Sequence, residues 1–522
     1  MFHIRHRHTR DTGRKAEAPV TNLRRQAVKG WTLSPRLAFA VLLVFRLLSA
    51  WLNIIHDCDE VFNYWEPLHY LLYGYGLQTW EYSAKFALRP YIYLLLHSVV
   101  AAPAASWFGS GTGKLAVFYL TRAALATASA IAETALYRAT QRYAGRPAAH
   151  YLLALLCLSS GMFSASTGLL PSSFTMLPAS ISVGLAGLVM TVTPMVLLDR
   201  MFYGTWTLSL WNFVRYNVGG GGDSALYGVE GTSFYLRNGA NNLNLVLPLA
   251  FAYPAVALLQ LLKISGGELR PRLLASIAPL FVWLAAITAL PHKEERFLFV
   301  VYPLTCLAAA ATLEALPRLV YSAGLRCLPR RSAQLLANAA PIIAVLLIGL
   351  LSLARSAALV SNYGAPLRVY SQLPEVDPAA VGSKQIHVCV GDEWHRFPSS
   401  FFLPSPAYRP AFVKSGFHGL LPRPFDAAAG GTAAAPTQLN DRNREEPANY
   451  WANTTQCDYL IRLDSTDKSL YDPDHWDLVT SHPFVEASKS PALYRALYVP
   501  GLSSVRNSYV QYQLLKQRKP ER

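Results

Sequence analysis

Asp57, Asp59, Glu60, Glu66 and Glu81 crowd between residues 57 and 81, in a chain whose next three hundred residues hold few other carboxylates. A carboxylate in such a cluster can take the proton of an attacking hydroxyl. Neighbouring acids and partial desolvation would lift its pKa toward a useful value. On spacing alone, a solvated acidic loop accounts for the cluster equally well. The same stretch holds Phe62, Tyr64, Trp65, Tyr70, Tyr73, Tyr75, Trp80 and Tyr82. Rings with polar tips suit stacking against sugars, and they equally suit a belt at the boundary between lipid and water. A second constellation is Pro291-His292-Lys293-Glu294-Glu295-Arg296-Phe297. His292, Lys293 and Arg296 could hold a phosphate, with Glu294 and Glu295 orienting the cations; a local salt-bridge knot is the alternative. A third, weaker cluster is Tyr227-Gly228-Val229-Glu230-Gly231, followed by Phe234 to Asn238.

The elements that position these residues are apolar helices. The chain has 522 residues, 52% hydrophobic and 15% charged, whereas a soluble domain carries about 25% charged residues. A membrane-spanning helix needs about 20 mostly apolar residues. Runs at 36–55, 89–108, 115–136, 149–169, 175–198, 243–263, 272–290, 297–316 and 335–355 meet that length. The expectation is a polytopic α-helical membrane protein. Its basic lead has 1–35 as a cytosolic tail, followed by a membrane region 36–355 with polar loops 56–88, 199–242 and 291–296. A mixed α/β domain over 356–522 completes the chain.

The formal net charge of +16 does not indicate nucleic acid, because it is concentrated where a membrane protein keeps it. Arg5, Arg7, Arg10, Arg14, Lys15, Arg24, Arg25 and Lys29 precede the first run, which places the N-terminus in the cytosol. Lys263, Arg270, Arg318, Arg326, Arg330 and Arg331 fall in loops on that same side. Arg138, Arg142 and Arg146 disagree with a nine-span count, so either a span is hidden before 137 or one run bends back. The polar domain shows strand-like alternation at Ile386 to Val390 and Tyr459 to Leu463. Gly430 to Thr437 reads as a surface insertion. Cys389 and Cys457 share the polar domain, where a bridge is possible but not demanded. Asn453-Thr454-Thr455 is a glycosylation sequon, usable if the domain lies outside the cytosol.

Asp57-Cys58-Asp59-Glu60-Val61-Phe62-Asn63-Tyr64-Trp65-Glu66-Pro67, continued by Gln78 to Ser83, closely resembles the first luminal loop of the endoplasmic reticulum α-1,2-mannosyltransferases of lipid-linked oligosaccharide assembly. These belong to glycosyltransferase family 22, of the GT-C fold. His292 to Phe297 looks like that family's second motif, and Asn217 to Asn238, with Tyr227, resembles a third. There the sequence departs: Glu230 is followed by Gly231-Thr232-Ser233 where the family usually has Pro-Trp. Gly391 to Ser400 and Asn440 to Pro447 resemble segments of the α-1,2 enzymes in particular.

The resemblance implies an inverting mannosyltransferase of protein N-glycosylation in the endoplasmic reticulum membrane, with its C-terminal domain luminal. The donor would be dolichyl-phosphate mannose. The acceptor would be a dolichyl-diphosphate oligosaccharide, at the Man6GlcNAc2 and Man8GlcNAc2 stages. Asp59 would be the base, supported by Glu60. Asp57, Trp65, Glu66, Tyr227, His292, Lys293 and Arg296 would meet substrate. No metal or other cofactor is expected, because protein cations can stabilise the departing phosphate. The alternative within the family is a mannosyltransferase of glycosylphosphatidylinositol anchor synthesis.

Overall fold

The computed structural model describes residues 33–176, 185–217, 224–264, 267–376, 384–451, 456–465 and 471–518. The basic lead, Gly219 to Gly222, part of the run 175–198 and the sequon at Asn453 lie outside the described residues.

Ser34 accepts a hydrogen bond from Leu37 N at 3.2 Å and Pro35 follows it, so helix α1 (Pro35–Leu52) starts on a capped first turn. Helix α2 (Tyr91–Phe108) follows the acidic loop, and α3 (Gly113–Tyr143) runs back against α1. Arg46 of α1 and Glu133 of α3 form a buried ion pair at 2.9 Å, and Arg46 also donates to the carbonyl of Leu156 at 2.6 Å. Pairing satisfies two charges that lipid would not tolerate singly. That carbonyl belongs to α4 (Arg146–Leu158), which breaks at the extended Ser159 before a further short helix Ser160–Ala165. The run 149–169 is therefore two short helices rather than one span. Then come α5 (Leu185–Tyr203), α6 (Phe234–Leu243), α7 (Val246–Leu261), α8 (Pro271–Ala289), α9 (Tyr302–Gly324) and α10 (Arg330–Tyr363). Helix α10 passes the boundary expected at residue 355.

Among the described residues six helices are long and apolar enough to cross a membrane; α6 and α7, bent by 109°, make a seventh if taken as one span. Not every one of the nine apolar runs is a long straight helix among the described residues, and α2 needs separate treatment. At one end Arg89 donates to Tyr64 Oη at 2.8 Å. At the other, Tyr73 Oη donates to the carbonyl of Gly109 at 3.4 Å, and Lys114 donates to Tyr75 Oη at 2.6 Å and to the carbonyl of Ser400 at 3.0 Å. Both ends thus contact the acidic loop or the C-terminal domain, so α2 starts and finishes on the same face of the protein. Helix α3 then leaves that face and ends beside Leu33, whose carbonyl accepts from Tyr137 at 3.1 Å and Gln141 at 3.4 Å. Arg138, Arg142 and Arg146 therefore join the other basic loops at the opposite face. The run that bends back is 89–108.

The C-terminal domain is a five-stranded mixed sheet in the order β3 (Tyr408–Phe412), β2 (Ile386–Val390), β5 (Tyr459–Leu463), β7 (Tyr509–Gln517), β6 (Trp476–Val485). The expected strands β2 and β5 are parallel neighbours, Val388 opposite Tyr459. Cys389 and Cys457 form a disulfide between β2 and the chain entering β5. A second, two-stranded sheet pairs β1 (Leu77–Gln78) of the acidic loop with β4 (Arg423–Pro424). Gly430 to Thr437 is no loose insertion: Thr432 donates to the carbonyl of Phe202 at 2.8 Å, and Ala84 N to that of Ala434 at 3.2 Å.

The loop's aromatics serve this junction. Phe62 meets Trp394, Phe397 and Phe412 at ring separations of 5.8, 6.2 and 6.3 Å, and Tyr70 stacks on Phe425 at 4.1 Å. Most of these rings are interior packing between loop and domain, neither a lipid belt nor a platform for sugar.

Candidate active site

Asn53 ends α1 in an extended conformation, its Nδ2 donating to the carbonyl of Ser164 at 2.9 Å and its own carbonyl accepting from Arg122 at 2.9 Å. From this anchored exit the chain reaches Asp57, which caps the turn Cys58–Glu60: Asp57 Oδ1 accepts from Asp59 N at 2.9 Å. A π-helical turn, Val61–Trp65, follows. Its wider winding puts residues five apart over one another, and Trp65 Nε1 donates to Glu60 Oε1 at 3.0 Å.

These turns divide the acids. Glu60, 4% exposed, also accepts from Leu169 N at 2.9 Å. Glu66, 0% exposed, accepts from Ser400 N at 2.5 Å, Ser400 Oγ at 2.9 Å and Leu77 N at 3.0 Å. Burial pushes both carboxyls up against those hydrogen bonds. Trp65 is fully buried against Phe118 and Phe401. Glu60, Trp65 and Glu66 therefore brace the loop from inside and do not face open space.

Asp57 and Asp59 do. Their side chains are 27% and 34% exposed, and both bind the guanidinium of Arg296, 237 residues after Asp59. Nη1 of Arg296 is 3.1 Å from Asp57 Oδ2, and Nη2 is 2.6 Å from Asp59 Oδ2 and also contacts Glu294. On its other flank Asp59 Oδ2 lies 4.0 Å from Arg89, which forms a two-pronged pair with Glu81 at 2.9 and 3.0 Å. Burial pushes the Asp57 carboxyl up, against Arg296 and with help from Asp59 and Glu294, to about 7. Burial acts on Asp59 too, but Arg296 and Arg89 outweigh it and hold its carboxyl below the ordinary value. The expected upward shift thus falls on Asp57, because Asp59 has two guanidinium neighbours.

The second motif is largely bound within the protein. His292 Nε2 lies 3.0 Å from Glu294 and Nδ1 2.9 Å from the carbonyl of Gly228; the bond to Glu294 raises its pKa. Lys293, 7% exposed, gives its ammonium to the carbonyls of Glu230, at 3.0 Å, and Leu290. Glu230 N in turn donates to the carbonyl of Pro291 at 3.2 Å. The Gly228 to Glu230 turn, with Gly228 at a φ of 110°, is thus docked on the second motif through its backbone. Tyr227 leaves that turn half-exposed, 6.3 Å from Trp80 with the rings near parallel.

A cleft of about 500 Å³ opens beside the cluster. Asp57 and Arg296 line it, as do Glu295, Arg355 and, from the Gly391 to Ser400 segment, His395 and Arg396. Ile54, Ile55, Phe299 and Leu359 give it an apolar side. Arg89, Arg355 and the cleft-lining segment were missed as site residues. Arg89 had a signal: a cation amid acids, one residue before a helix-starting Pro90. Ligand atoms of Asp57, Cys58 and Asp59 lie within 4.8 Å of one another, a spacing that could hold a metal ion. Arg296 already occupies both carboxylates, and burial pushes the Cys58 thiol far from its thiolate form.

The family model for the Alg9-like mannosyltransferases matches residues 37–186 and 177–404. The chain is 39% identical to α-1,2-mannosyltransferase ALG9 of Arabidopsis thaliana over 92% of this chain and 91% of that one. It is 36% identical to the Homo sapiens protein of that name over 94% and 90%. GPI mannosyltransferase 3 of Candida albicans matches at 36% identity over 75 residues, 14% of this chain and 16% of that one. Among solved structures, ArnT from Cupriavidus metallidurans bound to undecaprenyl phosphate covers 73% of this chain and 86% of its own, at TM-score 0.41 and 14% identity.

Proposed function

The chain belongs to the Alg9-like mannosyltransferase family, and from that premise we propose the reaction its site performs: transfer of mannose from dolichyl-phosphate mannose, in α-1,2 linkage, to a dolichyl-diphosphate oligosaccharide at the Man6GlcNAc2 and Man8GlcNAc2 stages. The observation that carries this reading is the meeting of Asp57, Asp59 and Arg296 in one ion-pair cluster, of which Asp57 and Arg296 line a cleft with one apolar and one polar side. The near-complete coverage of the α-1,2 enzymes favours it over an anchor-synthesis enzyme, where similarity spans 75 residues.

In this reading the acceptor hydroxyl attacks the anomeric carbon of the mannosyl phosphate. Its oxygen bonds to that carbon, its proton passes to Asp59, and the carbon–phosphate oxygen bond breaks with its electron pair leaving on dolichyl phosphate. A β-linked donor yields an α-linked product, so hydroxyl and phosphate must sit on opposite sides of the sugar. The cluster suits that demand. Asp57 and Arg296 face the cleft, while Asp59 sits between Arg296 and Arg89, on the flank that carries Glu81. Arg296 acts first on the carboxylates, holding Asp59 ionised and fixed. Tyr227, 38% exposed and backed by the buried Trp80, is the ring available to a sugar face.

The site face would be luminal in the endoplasmic reticulum. Arg138, Arg142, Arg146, Lys263, Arg270, Arg318, Arg326, Arg330 and Arg331 all belong to the opposite face, as cytosolic loops require. Asn453 would then lie on the side of the membrane where sequons are glycosylated. The test is transfer of labelled mannose from dolichyl-phosphate mannose to defined lipid-linked acceptors by the purified chain. A new α-1,2 linkage on the two named acceptors is expected. Transfer to a glycosylphosphatidylinositol precursor instead would overturn the reading, and cleavage of the C-terminal domain by protease outside sealed microsomes would overturn the orientation.

A further inference from the structure

Arg355 belongs to none of the motifs, yet its setting is unusual. Helix α10 carries Arg330 and Arg331 at its start and no further charge until Arg355. At 1.5 Å per residue, the rise from Arg331 to Arg355 is about 36 Å, slightly more than the roughly 30 Å of a bilayer's hydrocarbon core. Arg355 thus stands at the boundary on the site's side, at the depth where a lipid phosphate sits. An arginine there needs a partner. Its Nη2 lies 3.4 Å from Asn242 Oδ1 and its Nη1 3.4 Å from the carbonyl of Ala496, both long, and its buried Nε has no hydrogen-bond partner among the described residues. Asn242 donates to Glu295 at 2.7 Å and so holds the guanidinium in place indirectly.

The other basic groups of the cleft are committed or uncharged. Arg296 binds three carboxylates. Arg396 pairs with Glu393 and stacks over Phe484 at 4.6 Å. Burial and neighbouring arginines push His56 down to about 3, and burial with Arg396 pushes His395 down to about 4, so both imidazoles are neutral at physiological pH. The wall beside Arg355 includes Ile54, Ile55, Phe299, Leu359 and Leu367, which suits an isoprenoid chain.

We propose that Arg355 is the phosphate anchor of this cleft, its guanidinium binding the phosphate of a polyprenyl-linked substrate. The polyprenyl class rests on the function proposed above; the anion site rests on the geometry. A guanidinium offers a phosphate two parallel hydrogen bonds, and the donor's monophosphate and the acceptor's diphosphate share that chemistry.

The experiment uses the full chain in phosphatidylcholine vesicles, with Arg355→Gln, Arg355→Lys and, as a control, Arg518→Gln in an exposed ion pair of the C-terminal domain. Two quantities are read: direct binding of dolichyl phosphate, which needs no turnover, and the KM for each substrate. Arg355→Gln is expected to weaken one of these on the order of ten- to a hundredfold, the scale of a lost charged hydrogen bond, with Arg355→Lys recovering part. Weaker dolichyl phosphate binding with a raised donor KM assigns the anchor to the donor. A rise confined to the acceptor KM assigns it to the diphosphate. Unchanged binding and both KM values within about twofold of wild type, against that expected loss, overturn the proposal. Should Arg355→Gln fail to fold, Arg355→Lys carries the same test, with a smaller rise expected and an unchanged profile again overturning. If the wild-type chain transfers no mannose but Arg355 still governs dolichyl phosphate binding, the anchor stands and the assigned reaction falls.

Discussion

Two pairs of acids from one short segment meet different fates. Glu60 and Glu66 take hydrogen bonds from backbone amides, an indole and a hydroxyl, all inside the protein. Asp57 and Asp59 take theirs mainly from guanidinium groups at the edge of open space. A backbone donor cannot move away without unfolding its element, so Glu66 is a fixed strut from the loop to the C-terminal domain and Glu60 one from the loop to the segment after the short helix Ser160–Ala165. A guanidinium can swing aside, so the second pair can exchange its partner for a substrate. The nature of the donor, more than the presence of a carboxylate, separates framework from chemistry.

The comparison breaks most severely at Arg296. Its replacement by Met leaves Asp57, Asp59 and Glu294 without their common cation. Loss of one such group is expected to lower turnover by roughly 10²–10³, read as initial rates of mannosyl transfer, with insertion into the membrane unchanged. Near-normal turnover would assign the second motif to structure alone. Glu66→Gln should show the opposite signature. It weakens bonds to Ser400 and Leu77, at about 1–3 kcal/mol for a buried donor left poorly matched, seen as a lower thermal unfolding midpoint. Turnover per folded molecule should hold within about twofold of wild type, because nothing that faces the cleft changes.

Acidity sharpens the distinction. Asp57 is raised to about 7, so it is mostly protonated below that pH and ionised above it. Protonation removes one of the three charges on Arg296, and kcat/KM is expected to fall as pH drops through about 7. Asp57→Asn should flatten that limb at a reduced rate. Asp59, held below the ordinary carboxylate value, should contribute no limb near neutrality. A limb near 7 that survives Asp57→Asn would contradict the division between the two aspartates.

Much of this site could be read from residue types. Asp57, Asp59, His292 and Arg296 stand out because charges beside apolar runs need a reason, and the strands Ile386–Val390 and Tyr459–Leu463 follow from alternation. The position of α2 could not be read, since length and hydropathy do not tell which face of the protein each end of a helix meets. Contacts with Tyr64, Tyr73 and Ser400 decide it. The burial of Trp65 and the stacking of Tyr70 depended on partners some three hundred residues away, Phe401 and Phe425. The direction of the Asp59 shift depended on Arg89 and Arg296 arriving from opposite flanks, which no local pattern encodes.

The central claim, that Asp59 does chemistry while Glu60 beside it holds the fold, is tested most directly by one paired measurement. Mannosyl transfer per folded molecule is compared for Asp59→Asn and Glu60→Gln. General-base catalysis is worth roughly 10²–10⁴, so Asp59→Asn should fall by that factor with its unfolding midpoint kept, whereas Glu60→Gln should lower the midpoint and keep most of its rate. Asp59→Asn retaining more than about a tenth of wild-type turnover, against that loss, would contradict the account.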